Sequence, residues 1–263
     1  MNDFVTLAVA DHVALLTLNS PATRNALGSN KQYADIASAC LRIEADMSIR
    51  AVVLTGAGKA FCAGGDVKAM AARTADPTLE PVDDRYHYKH GIHRIPNAVY
   101  QMEVPIIAAV NGPAIGAGLD LACMCDLRIA GKSARFAESF VRLGIIPGDG
   151  GAFLLQKLVG ISKASELTFT GRTIDPAEAL ACGLVSEVVN DEELLPRALA
   201  LAAEISANPP QALRMAKRLL REAQTARLES ILELSAAFQA LAHATGEHRQ
   251  RISTAVAGLA ERK

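Results

Sequence analysis

Thr55-Gly56-Ala57-Gly58-Lys59-Ala60-Phe61-Cys62-Ala63-Gly64-Gly65-Asp66 and Asn111-Gly112-Pro113-Ala114-Ile115-Gly116-Ala117-Gly118-Leu119-Asp120 are the two stretches on which the reading of this chain turns. Each follows a short apolar, β-rich run, at residues 51–54 and 106–110. Each leads into a helical pattern, at Val67-Lys68-Ala69-Met70 and at residues 119–125. Ala63, Gly64, Gly65, Gly116, Ala117 and Gly118 carry almost no side chain, so a ligand can come close to the backbone there. The first turn of a helix has N–H groups without intrahelical partners, and these can bind an anionic oxygen. Two such turns facing one another would supply two converging donors, the geometry of an oxyanion hole. Neither turn has the glycine spacing of a dinucleotide fingerprint or the Lys-Ser/Thr of a P-loop.

Working outward, residues 5–9 and 13–18 read as a hairpin around Asp11-His12. Ser29 is an N-cap candidate ahead of Tyr33, Ile36, Ala37, Cys40 and Ile43 at helical spacing. Residues 127–130 and 185–189 are further strand candidates, apolar on both faces as in a sheet covered on both sides. Strands alternating with helices indicate an α/β fold. From Glu192 to Leu259 the pattern becomes Ala- and Leu-rich and helical, with Pro209-Pro210 as a helix start. The expected division is a core of residues 1–195 carrying the site and a helical region of residues 196–263 serving oligomerisation. Residues 72–81, polar and Pro-containing, are expected to form a mobile loop.

Composition excludes several function classes. The 263 residues are half hydrophobic with a net charge of −1, which gives no basic field for nucleic acid. No apolar run approaches the roughly 20 residues of a membrane span, and the first residues lack a signal-peptide pattern. Five scattered cysteines, Cys40, Cys62, Cys123, Cys125 and Cys182, read as thiols in a reducing, cytoplasmic setting. Cys123-x-Cys125 has no second pair to complete a zinc site. His87, His90 and His93 form a drifting helical stripe amid Arg85, Lys89 and Arg94, which disfavour a dication; no metal site is expected, and a helix bordering the binding pocket is the preferred reading.

Taken together and in order, Phe61–Asp66, Ala108–Gly118 and Cys125-Asp126-Leu127-Arg128-Ile129-Ala130 closely resemble the enoyl-CoA hydratase/isomerase (crotonase) superfamily. The likeness continues through Arg135-Phe136-Ala137-Glu138, the segment 143–151, Leu167-Thr168-Phe169-Thr170-Gly171 and the segment 179–185, and Arg24-Asn25-Ala26-Leu27 matches the early coenzyme A segment. The resemblance implies a crotonase-like superhelix of stacked ββα turns with a C-terminal helical region, assembled as homotrimers or hexamers. It implies an acyl-CoA substrate whose thioester enolate is held by the N–H groups of Ala63 and Ala117. Coenzyme A would arrive as part of that substrate, with no permanently bound cofactor. Arg24, Ala26, Ala63, Gly64, Asp66, Val67 and Gly116 fall where relatives contact the cofactor arms; Arg24 can equally be a solvated loop cation.

The choice of reaction stays open at this point. Hydratases of the family use two glutamates. Asp120 stands at the first position, where it can also be a dipole-favoured helix-start acid. Phe140 stands at the second, and a phenyl ring cannot exchange a proton. Asp149, between Gly148 and Gly150, is either a turn former or a proton carrier. Glu138 is placed by strand spacing on the same face as Phe140, as a further acid or a salt-bridged structural residue. Hydration or double-bond isomerisation of an enoyl-CoA is the leading expectation. A retro-Claisen C–C hydrolase using Asp149, or a non-catalytic acyl-CoA- or RNA-binding member, are the alternatives. Phe140 and Met70 are expected to line the acyl pocket.

Overall fold

The computed structural model describes residues 4–260. The chain opens with β1 (Val5–Ala10) and β2 (Val13–Leu18), antiparallel as expected. Asp11 and His12 make the two-residue turn with φ of 48° and 67°, the positive pair that matches strand twist. Helix α1 (Asn30–Ala45) starts at Ser29, whose hydroxyl accepts from the Gln32 N–H while Gln32 Oε1 accepts from the Ser29 N–H. This reciprocal capping satisfies two otherwise orphaned donors. Strand β3 (Ala51–Gly56) leads to the first turn and α2 (Val67–Thr74). Helices α3 (Pro81–His90) and α4 (Arg94–Val99) follow. Strand β4 (Ile106–Val110) then leads through β5 (Pro113–Ile115) into α5 (Ala117–Met124). Next come β6 (Leu127–Gly131), β7 (Arg135–Ala137), α6 (Gly151–Thr170), β8 (Thr173–Ile174), α7 (Pro176–Ala181) and β9 (Glu187–Val189). Four helices close the chain: α8 (Asp191–Ser206), α9 (Pro210–Glu222), α10 (Leu228–His243) and α11 (Gly246–Ala260).

The main sheet runs β1-β2-β3-β4-β6-β9, parallel except at its first pair. A second sheet is ordered β5-β7-β8. Apolar residues on both sheet faces are explained by two cores. Leu16, Val52, Leu54, Ile106 and Val110 face α1, α4 and α5. Val13, Val53, Ile107 and Ile129 face Leu194, Ala198 and Ala202 of α8. Helix α8 thus spans residue 195/196 while packing on the central strands. Helices α10 and α11 have no buried side chains described. Their Leu232, Leu241, Ile252 and Val256 are exposed.

Three local expectations change. Residues 72–81 are not one loop, because α2 continues to Thr74 and Pro81 begins α3; Arg73 and Asp84 pair across the intervening turn. The histidine stripe is broken. His87 and His90 lie on α3, whereas His93 follows Gly91, beyond the helix end. Among the described residues no cluster of His, Cys, Asp or Glu is arranged to hold a metal ion. The strand expected over 185–189 is paired only from Glu187, since Leu184 and Val185 N–H bond back to Ala179.

Candidate active site

The two turns are stitched together. Cys62 N–H donates to the Pro113 carbonyl at 3.1 Å and Ile115 N–H to the Cys62 carbonyl at 3.1 Å. Gly64 (φ 90°) and Gly116 (φ 51°) bend the chain in conformations that L side chains rarely adopt. A methyl placed on Gly64 would lie 3.7 Å from the Ala117 nitrogen, so the turns converge at their tips. The segment 24–27 runs alongside the first turn. Leu27 N–H donates to the Gly64 carbonyl at 2.8 Å and Asp66 N–H to the Leu27 carbonyl at 3.0 Å.

This register corrects the first donor. Ala63 N–H is already bonded to the Arg24 carbonyl at 3.0 Å, so it is not free for a substrate oxygen. The group that lines the cleft is Gly65, whose N–H has no acceptor among the described residues. Ala117, the first residue of α5, presents a helix-start N–H at the same cleft. Gly64 and Gly116 are absent from the cleft wall. Gly116 N–H bonds to the Ala137 carbonyl at 2.8 Å, so that glycine shapes the turn. Arg24 is exposed, Ala26 half-buried and Val67 exposed, all on the segments bordering the cleft. Asp66 lines the cleft and caps α2, accepting from the Lys68 and Ala69 N–H groups.

Sequence reasoning missed Asn25. It is fully buried, and its Nδ2 lies within hydrogen-bonding distance of the Ala57, Ala60 and Phe61 carbonyls at 3.0, 2.9 and 3.2 Å. Its carbonyl oxygen Oδ1 accepts from Ser20 N–H at 2.9 Å. It holds the first turn in shape. A polar residue in a left-handed conformation beside a Gly-rich partner loop is visible only once the two segments meet.

The cleft encloses about 450 Å³. Its wall includes Tyr33, Met70, Tyr88, Ile92, Phe140, Ile145 and Asp149, so Phe140 and Met70 are where the sequence reading put them. Phe140 is not on a strand, however. β7 ends at Ala137, Glu138 follows, and Phe140 opens a short 3-10 helix. Glu138 therefore leaves the Phe140 face and turns inward, 1 % exposed, toward the fully buried Asp120.

Three carboxyl groups are thus buried near the start of α6. Asp120 Oδ2 accepts the Gly151 N–H at 3.1 Å, across helices and not as a cap of its own helix. Asp120 Oδ1 and both Glu138 oxygens have no donor from another group among the described residues. The two carboxyl ends lie together beside Gly151, and each bears on the other. Burial first, then the Glu138 charge, holds the Asp120 carboxyl well above its usual range. Burial raises Glu138 to about 7, against the lowering effect of the Asp120 hydrogen bond. Asp149 is raised by burial to about 6, partly offset by His93. Of the three acids, Asp149 is on the cleft wall and the other two lie behind it. Its Oδ1 has no partner among the described residues.

A buried carboxylate beside two free helix-start donors in an apolar cleft is suited to moving a proton on a carbon acid while a developing oxyanion is stabilised. The family model for enoyl-CoA hydratase/isomerase matches residues 9–262. The chain belongs to the enoyl-CoA hydratase/isomerase family. The enzyme is 42% identical to a Bacillus subtilis protein named as an enoyl-CoA hydratase/isomerase, over 82% of this chain and 81% of the relative. It is 34% identical to 1,2-epoxyphenylacetyl-CoA isomerase of Escherichia coli K12, over 98% of this chain and 97% of that one. Among solved structures, enoyl-CoA hydratase from Bacillus anthracis superposes with a TM-score of 0.87 at 33% identity, covering 95% of each chain. The crotonase-type fold and an acyl-CoA hydratase/isomerase function follow from these likenesses. Among the described residues no helix is long and apolar enough to cross a membrane.

Proposed function

We propose that the enzyme shifts the double bond of an enoyl-CoA thioester by proton transfer, with Asp149 as the proton carrier. The observation that carries this reading is the asymmetry of the cleft: one buried carboxylate on its wall, and a phenyl ring at Phe140 where hydration would use a second acid. In a 3-enoyl thioester, Asp149 removes a proton from C2. The electrons move into the thioester carbonyl, whose oxygen accepts hydrogen bonds from the Gly65 and Ala117 N–H groups. The same carboxyl returns the proton at C4, leaving the double bond between C2 and C3. No water is consumed. A carboxyl raised to about 6 is ionised enough near neutrality to take a proton and acidic enough to give it back. The full-length likeness to 1,2-epoxyphenylacetyl-CoA isomerase supports the coarser choice of an isomerisation that consumes no water.

Coenzyme A enters as part of the substrate, and no resident cofactor is required by this chemistry. Arg24, Ala26, Asp66 and Val67 border the cleft where its arms would lie. The apolar faces of α10 and α11 suit a homotrimer or hexamer, with residues 196–263 as the oligomerisation region. Five unpaired cysteines, four of them buried, suit the cytoplasm. The test compares isomerisation of 3-hexenoyl-CoA with hydration of crotonyl-CoA on the same preparation. Faster isomerisation is expected; hydration as the dominant reaction would overturn the proposal. Light scattering that gives a stable monomer at micromolar concentration would exclude the assembly.

A further inference from the structure

We propose that His93 is a positioning residue for Asp149, its ring holding the Gly148 carbonyl so that the next residue's carboxyl stays turned into the cleft. This rests on the reading of Asp149 as proton carrier. His93 Nε2 donates to the Gly148 carbonyl oxygen at 2.9 Å. Across residues 146–149 this is the one side-chain hydrogen bond made among the described residues. The segment is otherwise a Gly- and Pro-containing stretch between the 3-10 helix at Phe140 and α6, with Ile146 exposed. Without the imidazole tie the peptide that aims Asp149 keeps only the turn at residues 148–150 that leads into α6.

The imidazole is itself held. His93 N–H donates to the Tyr88 carbonyl at 3.2 Å, and the Tyr88 ring meets the imidazole edge-on with centroids 6.2 Å apart. A methyl on Gly148 would come within 3.3 Å of the same Tyr88 ring. Tyr88, His93 and Gly148 therefore pack as one unit, joining the start of α4 to the loop before α6.

Other basic side chains stand nearby: Arg73 and His87 line the same cleft, and Arg85 and Lys89 border the pocket lined by His93 and Gly148. Tyr33 on α1, Cys62 in the first turn, Tyr88 on α3, Asp120 on α5 and Glu138 after β7 all bear on the carboxyl or feel its charge. Each of these is neutral or becomes negative. His93 can be positive, and it pulls the Asp149 carboxyl down against burial. Its removal loosens the aim of the carboxyl and raises its pKa together.

The experiment uses the full chain labelled with 13C at aspartate carboxyls, as wild type, His93→Ala and His93→Gln, with Asp149→Asn to assign the resonance. Carboxyl titration by NMR needs no substrate. Exchange of the C2 protons of butyryl-CoA into deuterated water reads proton transfer. His93→Ala is expected to move the Asp149 titration to higher pH and to slow exchange about tenfold at unchanged KM, as small misplacements of a catalytic group do. His93→Gln, which keeps an N–H donor but no charge, should recover most of the rate without restoring the titration. It also keeps the test open if the alanine variant does not fold. Folded His93 variants with wild-type titration and wild-type exchange would overturn the role of His93. Should Asp149→Asn keep its exchange rate while the Asp149 titration still follows His93, the proton-carrier reading fails and the positioning stands.

Discussion

Asp149 and the Asp120–Glu138 pair sit on opposite sides of one glycine-marked helix start, and they solve the problem of a buried acid differently. Asp149 lies on the cleft wall, where the nearby His93 offsets part of the effect of burial. Asp120 and Glu138 lie together behind the wall, and Asp120 takes the one backbone donor there, from Gly151. An acid that must exchange protons with a substrate needs an unpartnered oxygen, access and a moderate pKa. An acid pair that seals an interior needs neither access nor charge. Burial alone therefore does not identify the catalytic group. Position on the cleft wall is what separates Asp149 from the other two acids.

The largest effect expected from this contrast is on turnover. Asp149→Asn should lower exchange or isomerisation by about 100- to 10,000-fold, the range of general acid–base work, with acyl-CoA affinity nearly intact. Steady-state rates beside calorimetry with acetoacetyl-CoA check it. Asp120→Asn under the same assay should lose far less. An equal loss in both would merge the two regions into a single catalytic unit and remove the distinction.

The second effect is on folding. A methyl at Gly151 would collide with Asp120 Oδ1 and with Glu138 Oε1 at once. Both are carboxyl ends already confined on all sides, so Gly151→Ala should cost at least about 1–3 kcal/mol, as overpacking does. Denaturant midpoints measure this. Gly144→Ala, where an added methyl meets nothing within 4 Å, carries the cost of its left-handed φ of 72° alone and is the reference.

The third concerns pH. Glu138 has its folded-state pKa raised from 4.5 to about 7. Below about 4.5 the group is neutral in both states and burial costs nothing. Between there and about 7 the native state holds the proton that the unfolded chain has released. Stability then falls as pH rises, and stays lowered above the folded pKa. Glu138→Gln removes this slope. The variant should gain stability relative to wild type on going from pH 4.5 to pH 8, by on the order of 1–3 kcal/mol. A difference independent of pH would show that the pair is not titrating in that window.

How far these features were legible from sequence differs by the range of the interaction involved. The hairpin, the Ser29 cap, the two strand–turn–helix units and the helical C-terminal stretch depend on neighbours in the chain, and all are found. Phe140 and Met70 on the cleft wall followed from motif position. The donor register did not follow. Ala63 or Gly65 is decided by how residues 24–27 pair with the turn, a contact between segments some forty residues apart. Strand alternation puts Glu138 on the Phe140 face only if it is carried three residues past the end of β7, into the 3-10 helix that Phe140 opens. His93 was read with His87 and His90 by helical spacing, which Gly91 interrupts. Each miss lies where a local period ends and a tertiary contact takes over.

The smallest effect concerns binding and separates it from both acid sites. Arg24 is exposed, holds a left-handed φ of 55°, and borders the cleft through a backbone bond that any residue can accept, the Ala63 N–H to the Arg24 carbonyl. Its side chain is therefore free of structural duty at that bond, and Arg24→Ala changes mainly one solvated charge. An exposed ion pair contributes about 0–1 kcal/mol, so acetoacetyl-CoA should bind a few-fold more weakly, with turnover at saturation unchanged. Raising the salt should narrow the gap between wild type and variant, because an exposed charge is screened while the backbone donors at Gly65 and Ala117 are not. Calorimetry at two ionic strengths reads this directly. Were Arg24→Ala to lower saturated turnover as Asp149→Asn does, the arginine would be setting the thioester against the donors, and the border of the cleft would have to be counted with its wall.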